Sequence, residues 1–174
     1  MSSVPASPEP PVPTQDETHA RVRTLLEELT RALLDQHPEL EGFEEARPFR
    51  DRSSGGSWQG LGTMVHVSSL LLSRAPLHRA GPPPAPGALC TAAELESAAS
   101  GLDGPLHGLG LHRAEAPPGS SLPQARWRGE EGLTAELIGA GHLAVRVISG
   151  AFLPGSVQPL SSTSPITPPP RPVP

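Results

Sequence analysis

The chain contains no lysine, asparagine or tyrosine, only three isoleucines, and a single cysteine. One cysteine permits neither an intramolecular disulfide nor a cysteine-rich zinc site. Aromatic residues make up 3% and apolar residues 36% of the 174 positions, so any core is built mainly from Leu, Val and Ala. No apolar run approaches the roughly 18 residues needed to span a bilayer. The opening "MSSVPASPEPPVPTQDE" has neither a positive leading segment nor an apolar stretch of the signal-peptide kind. The expected location is therefore cytoplasmic, with a cell-surface lipoprotein as the alternative if the true start lies upstream.

All positive charge is carried by arginine, and the formal net charge is −5. Arginine without lysine is what codon bias in a very GC-rich genome produces, which points to an actinobacterium and warns against reading each Arg as selected for bidentate binding. An acidic balance argues against a general nucleic-acid binder, which carries a basic patch or stripe. Arg47, Arg50 and Arg52 do cluster, but Glu41, Glu44, Glu45 and Asp51 stand among them. That segment reads as a solvated charged face.

Proline (24) and glycine (18) are abundant, and together they form about a quarter of the chain, near the range where disorder is a fair prior. They concentrate at the ends. Residues 1–13 read as a Pro/Ser-rich tether and 157–174 as a Pro-rich tail, leaving a single domain over 14–156. The tail's "PPPRPVP" favours polyproline II, yet in so proline-rich a chain it does not specify a docking motif.

Within the domain, Val22, Leu25, Leu26, Leu29, Ala32 and Leu33 recur at helical spacing. Thr14 with Glu17 forms a candidate capping box, and Pro38 stops the helix near Gln36. A charged connection from Glu39 to Arg52 and a turn, "SSGGSWQGLG", lead to a strand over Thr63–Ser73. "APLHRAGPPPAPGA" reads as a loop. A second capping box, Thr91 with Glu94, opens a short helix whose face is Ala93, Leu95, Ala98, Ala99 and Leu102. Strand candidates follow at Leu111–Ala116, Gln124–Arg128, Gly132–Ile138 and His142–Ser149, the last two joined across "GAG". The expected class is α+β: a small antiparallel sheet ending in a β-meander, two helices on one face, in the order α-β-α-β-β-β.

The chemistry-bearing residues form no recognisable motif. Seven histidines include His66 inside a strand and His107 and His112 across a glycine-rich turn, but no HExxH or similar ligand spacing is present. Cys90 precedes a helix, where a thiol gains acidity, yet a nucleophile also needs a base and an orienting group. The carboxylate pairs Glu44–Glu45 and Glu130–Glu131 are neighbours in sequence, which on a strand face opposite ways. No catalytic, cofactor-binding or metal-ligating residue is assigned on these grounds.

The succession of "ARVRTLLEELTRALL", a Trp-containing turn, a strand, a helix, "ARWRGEEGLTAELI" and "LAVRVISGAFLP" resembles the ectodomains of small actinobacterial lipoproteins of unknown function, the mycobacterial Lpp-type proteins and their streptomycete relatives. The resemblance covers about residues 15 to 155 and rests on order and texture. It implies a non-enzymatic binding or surface module on an envelope tether, with an unidentified protein or envelope partner. The sequence departs from that pattern in two ways. No lipid-modified cysteine precedes the helix, and Cys90 lacks the second cysteine such proteins often carry, since Ala151 or Phe152 stands there. The alternative expectation is a cytoplasmic adaptor or chaperone-like protein that dimerises through its sheet. An enzyme using Cys90 or a histidine is the least favoured. The oligomeric state is not legible.

Overall fold

A computed structural model describes residues 11–77 and 87–155. Most of the expected tether, all of the tail and the middle of the proline-rich loop (within residues 1–10, 156–174 and 78–86) lie outside the described residues.

Helix α1 spans Gln15–Gln36. Thr14 and Glu17 close the capping box reciprocally: the Glu17 N–H donates to Thr14 Oγ1 at 3.3 Å and the Thr14 N–H to Glu17 Oε2 at 3.0 Å. At the other end the ring of Pro38 cannot continue the helix, and His37 caps it. Val22, Leu25, Leu29 and Leu33 are buried along one stripe, the placement their spacing predicts.

The sheet has eight antiparallel strands. Strands β1 (Phe43–Arg47) and β2 (Arg50–Trp58) form one arm of a long hairpin, and β3 (Leu61–Val67) and β4 (Leu70–Ser73) the other. β2 pairs with β3 and β1 with β4. The first arm breaks at Pro48, which has no N–H to give a ladder. The second breaks at Ser68 and Ser69, just after the register against β8 (Leu143–Phe152) shifts between Val65 and Val67. Serine hydroxyls repair that break: Ser68 Oγ accepts the Val147 N–H at 2.8 Å, and Ser149 Oγ accepts the His66 N–H at 2.8 Å. Beyond β8 the order continues through β7 (Thr134–Gly139), β6 (Gln124–Arg128) and β5 (His112–Ala114).

The α+β class and the C-terminal meander agree with the sequence reading, but the strand order does not. The charged connection and the "SSGGSWQGLG" turn are strands β1 and β2, and the single strand expected over Thr63–Ser73 is two. Most positions of β1 and β2 are exposed; backbone pairing and a few polar side-chain contacts hold them, so no apolar alternation advertises them. Helix α2 (Ala92–Gly108) also runs past its expected end near Leu102 and through Pro105.

Both helices lie on one face of the sheet. Leu29, Leu33, Ala98, Ala99 and Leu102 meet Ala125, Trp127, Ala135, Leu137, Val145 and Val147 in one buried cluster. The cross-strand register fixes the other face. Arg126, Glu136 and Arg146 stand side by side across β6, β7 and β8, while Ile148 pairs with Val67 and Ala144 with Leu72.

Candidate functional site

Two arrangements bring together side chains that the sequence keeps apart. The first lies where the N-terminal part of α1 crosses the β2–β3 hairpin. Asp51 on β2 pairs in register with His66 on β3, so both side chains leave the sheet toward α1. There the Asp51 carboxylate accepts from His66 Nδ1 at 2.6 Å and from His19 Nε2 at 3.1 Å. The imidazole rings tilt against each other with centroids 4.0 Å apart. Phe152 stands edge-on to His19 at 5.8 Å, and Phe49, exposed to 60%, lies 5.4 Å from His66. A shallow pocket of about 150 Å³ opens beside the cluster, lined among others by His19, Arg23, Phe49, His66, Ser68 and Ser69.

That pocket is lined by serines and two histidines that share the Asp51 carboxylate, yet not as a catalytic relay. A nucleophile must share a hydrogen bond with its base. Ser68 Oγ is engaged by the Val147 N–H, and Ser69 Oγ donates to Glu45 Oε2 at 2.5 Å. Neither hydroxyl is bonded to His66 in the described contacts.

The second arrangement is the outer sheet face. In β2, Arg50 pairs with Val67 and Arg52 with Val65, whereas Asp51 between them points to the helix side. In β1, Arg47 pairs with Leu70 and Glu44 with Leu72, whereas Glu45 pairs with Leu71, whose side chain packs on the core. The mixed charges of this segment are thus sorted by strand alternation. With Arg126, Arg128 and Arg146, six of the chain's 13 arginines share the outer face, against Glu44 and Glu136. Glu136 is 1% exposed and bridges Arg126 and Arg146, the latter at 2.5 Å. Arg47, Arg50, Arg52 and Arg128 are exposed. Between the arginines lie the aliphatic side chains of Val65, Leu70, Leu72, Ile138 and Ile148, all half-buried. The solvated charged face read from the sequence is therefore divided, with Arg47, Arg50, Arg52 and Glu44 on the outer side and Glu45 and Asp51 on the helix side.

The other residues weighed in the sequence fall elsewhere. Cys90 is half-buried and packs on the core; a Cβ added at Gly139 would meet its Cβ at 3.3 Å. His107 and His112 do come together, Nδ1 to Nδ1 at 3.1 Å, on an exposed edge. Glu44 and Glu45 face opposite ways, and Glu131 instead pairs with Arg21 at 2.7 Å. The histidine cluster was not visible in the sequence. His19 sits on a helix, and Asp51 in a segment without strand patterning; the hairpin register brings Asp51 to His66, and the crossing of α1 brings His19 to both. Among the described residues no helix is long and apolar enough to cross a membrane. No family model matches the chain, and neither a curated protein nor a solved structure shows significant similarity to it.

Proposed function

We propose that the chain is a non-enzymatic binding module whose contact surface is the outer sheet face, and that the partner is an acidic, partly aliphatic protein segment. The observation carrying this reading is the collection of six arginines on one face of a chain whose net charge is −5. Such a local field attracts and orients an anionic partner even though the whole molecule is acidic. Aliphatic side chains between the arginines supply the apolar contact area that a lasting complex needs.

Chemistry also selects among anionic partners. Sheets that bind single-stranded nucleic acid present aromatic rings for base stacking. Here Trp127 points to the helices and is fully buried, and the outer-face positions named above are arginine, glutamate and aliphatic, none of them aromatic. Face-to-face association of two copies would juxtapose the like charges of both basic faces, which opposes the alternative of a dimer formed that way. The envelope setting implied by the lipoprotein resemblance remains part of the proposal, and detergent partitioning of the native protein tests it separately.

The direct experiment is fluorescence anisotropy with a labelled peptide of alternating Glu and Leu, run against the full chain and its Arg50→Glu/Arg52→Glu/Arg128→Glu variant. The expected outcome is saturable binding that weakens with salt and falls at least tenfold in the variant. Binding of a single-stranded oligonucleotide but not of the peptide would replace this reading with nucleic-acid recognition. A concentration-dependent dimer in ultracentrifugation that survives in the variant would favour self-association through a sheet edge.

A further inference from the structure

We infer that His19, Asp51 and His66 form a binding site for one divalent transition-metal ion of the zinc class, tying α1 to the β2–β3 hairpin. The site is independent of the outer face and lies on the opposite side of the sheet. One ligand atom from each residue falls within 4.8 Å of the others. Zinc–nitrogen and zinc–oxygen bonds are about 2.0–2.2 Å, so tetrahedral ligand atoms sit roughly 3.3 Å from one another. His19 Nε2 is already 3.1 Å from both Asp51 oxygens. His66 Nδ1, at 2.6 Å from Oδ1, must move outward by a fraction of an ångström.

The donor set suits a borderline cation and not a hard one. Two imidazoles and a carboxylate favour Zn2+, Co2+, Ni2+ or Fe2+ over Mg2+ and Ca2+, which demand mostly oxygen. In the structure each ring donates an N–H to the carboxylate. On binding, each ring turns its lone pair on that nitrogen to the metal, and its proton transfers through solvent to the ring's other nitrogen. The fourth position faces the pocket beside Phe49, and water fills it.

The backbone supports this use. His66 is buried, and its N–H is fixed by Ser149 Oγ at 2.8 Å. Phe152, fully buried, braces the His19 ring from beneath. His19 and Asp51 are each about one-fifth exposed, 22% and 23%, which leaves an entry path for the ion. The two imidazoles, 4.0 Å apart and tilted against each other, converge on one shared carboxylate. A metal satisfies all three groups at once.

The test is isothermal titration of the full chain with Zn2+, repeated with Asp51→Asn, with His19→Gln and with the His107→Gln/His112→Gln double variant. The expected result is one equivalent bound, a zinc-dependent rise in melting temperature, and at least a tenfold loss of affinity in Asp51→Asn and His19→Gln. Binding should persist in the double variant. Co2+ should give the intense visible bands of a tetrahedral site, absent in Asp51→Asn. His19 lies on a partly exposed helix face, so its variant reports on the site even if Asp51→Asn folds poorly. No binding at 100-fold molar excess of Zn2+, or binding lost only in the double variant, overturns the proposal. Melting curves without metal for each variant separate loss of a ligand from loss of fold.

Discussion

Gln36, the last residue of α1, donates its Nε2 hydrogen to the Gly101 carbonyl of α2 at 2.7 Å. Pro105 explains the need. It has no N–H for the carbonyl four residues earlier, so an unbroken helix through Pro105 leaves Gly101 without its usual partner. Gly101 also lacks the Cβ that would otherwise come within 1.9 Å of Gln36 Oε1. Three residues thus let one helix pass a proline while tying it to the other. Replacing Gln36 by Ala is expected to cost about 1 kcal/mol or less, the net worth of an exposed hydrogen bond. Gly101→Ala should cost a similar amount by pushing the Gln36 amide away. Urea unfolding of both single variants and the double variant checks this; full additivity would mean the two residues are not coupled.

Gly150, in the final strand, touches a backbone and not a flexible side chain. A Cβ there would fall 1.6 Å from the Glu131 carbonyl oxygen. Glu131 itself holds a left-handed conformation, φ 58°, in the turn before β7, so neither partner yields easily. Gly150→Ala should therefore destabilise by about 3 kcal/mol or more. Thermal melting reads this directly, and a loss below 1 kcal/mol would mean that the β8 backbone shifts at little cost.

Asp103 joins α2 to the sheet. Its Oδ1 accepts from Trp127 Nε1 at 2.7 Å and from Arg113 at 3.1 Å, while the Arg113 guanidinium lies 5.0 Å over the indole. Trp127 is fully buried, so Asp103→Ala strands an indole N–H without an acceptor, at about 1–3 kcal/mol. Asp103→Asn keeps a carbonyl oxygen and should recover much of the loss. Equal destabilisation by both substitutions would indicate that charge, and not the indole contact, matters there.

Ser68 and Ser149 join the end of β3 to β8 beside the register shift between Val65 and Val67. Each hydroxyl accepts a buried backbone N–H, from Val147 and from His66. Ser149→Ala should cost about 1–3 kcal/mol. It should also speed hydrogen exchange at His66 and its neighbours before it affects β6 and β7. Protection lost evenly across the sheet would contradict a local role.

The sequence by itself determined the elements whose signals are local. A capping box is a reciprocal contact over three residues, and an apolar stripe repeats within a turn, so both helix starts and the buried face of α1 could be read directly. The paired strands at the C-terminus announced themselves in the same way, through alternation on either side of a glycine turn. Tertiary structure decided the rest. β1 and β2 are held by partners rather than by their own patterning, so a charged, glycine-rich segment did not declare itself as strand. Once the segment is a strand, alternation separates Arg47, Arg50 and Arg52 from Glu45 and Asp51, and a mixed cluster becomes a mainly basic outer face and an acidic helix-side one. Pro105 remains helical because a distant Gln36 takes the carbonyl it leaves exposed. His19, Asp51 and His66 meet because the hairpin register and the helix crossing bring them together across 32 and 15 residues of chain. Contacts at such separations depend on how elements pack, and no local pattern encodes that packing.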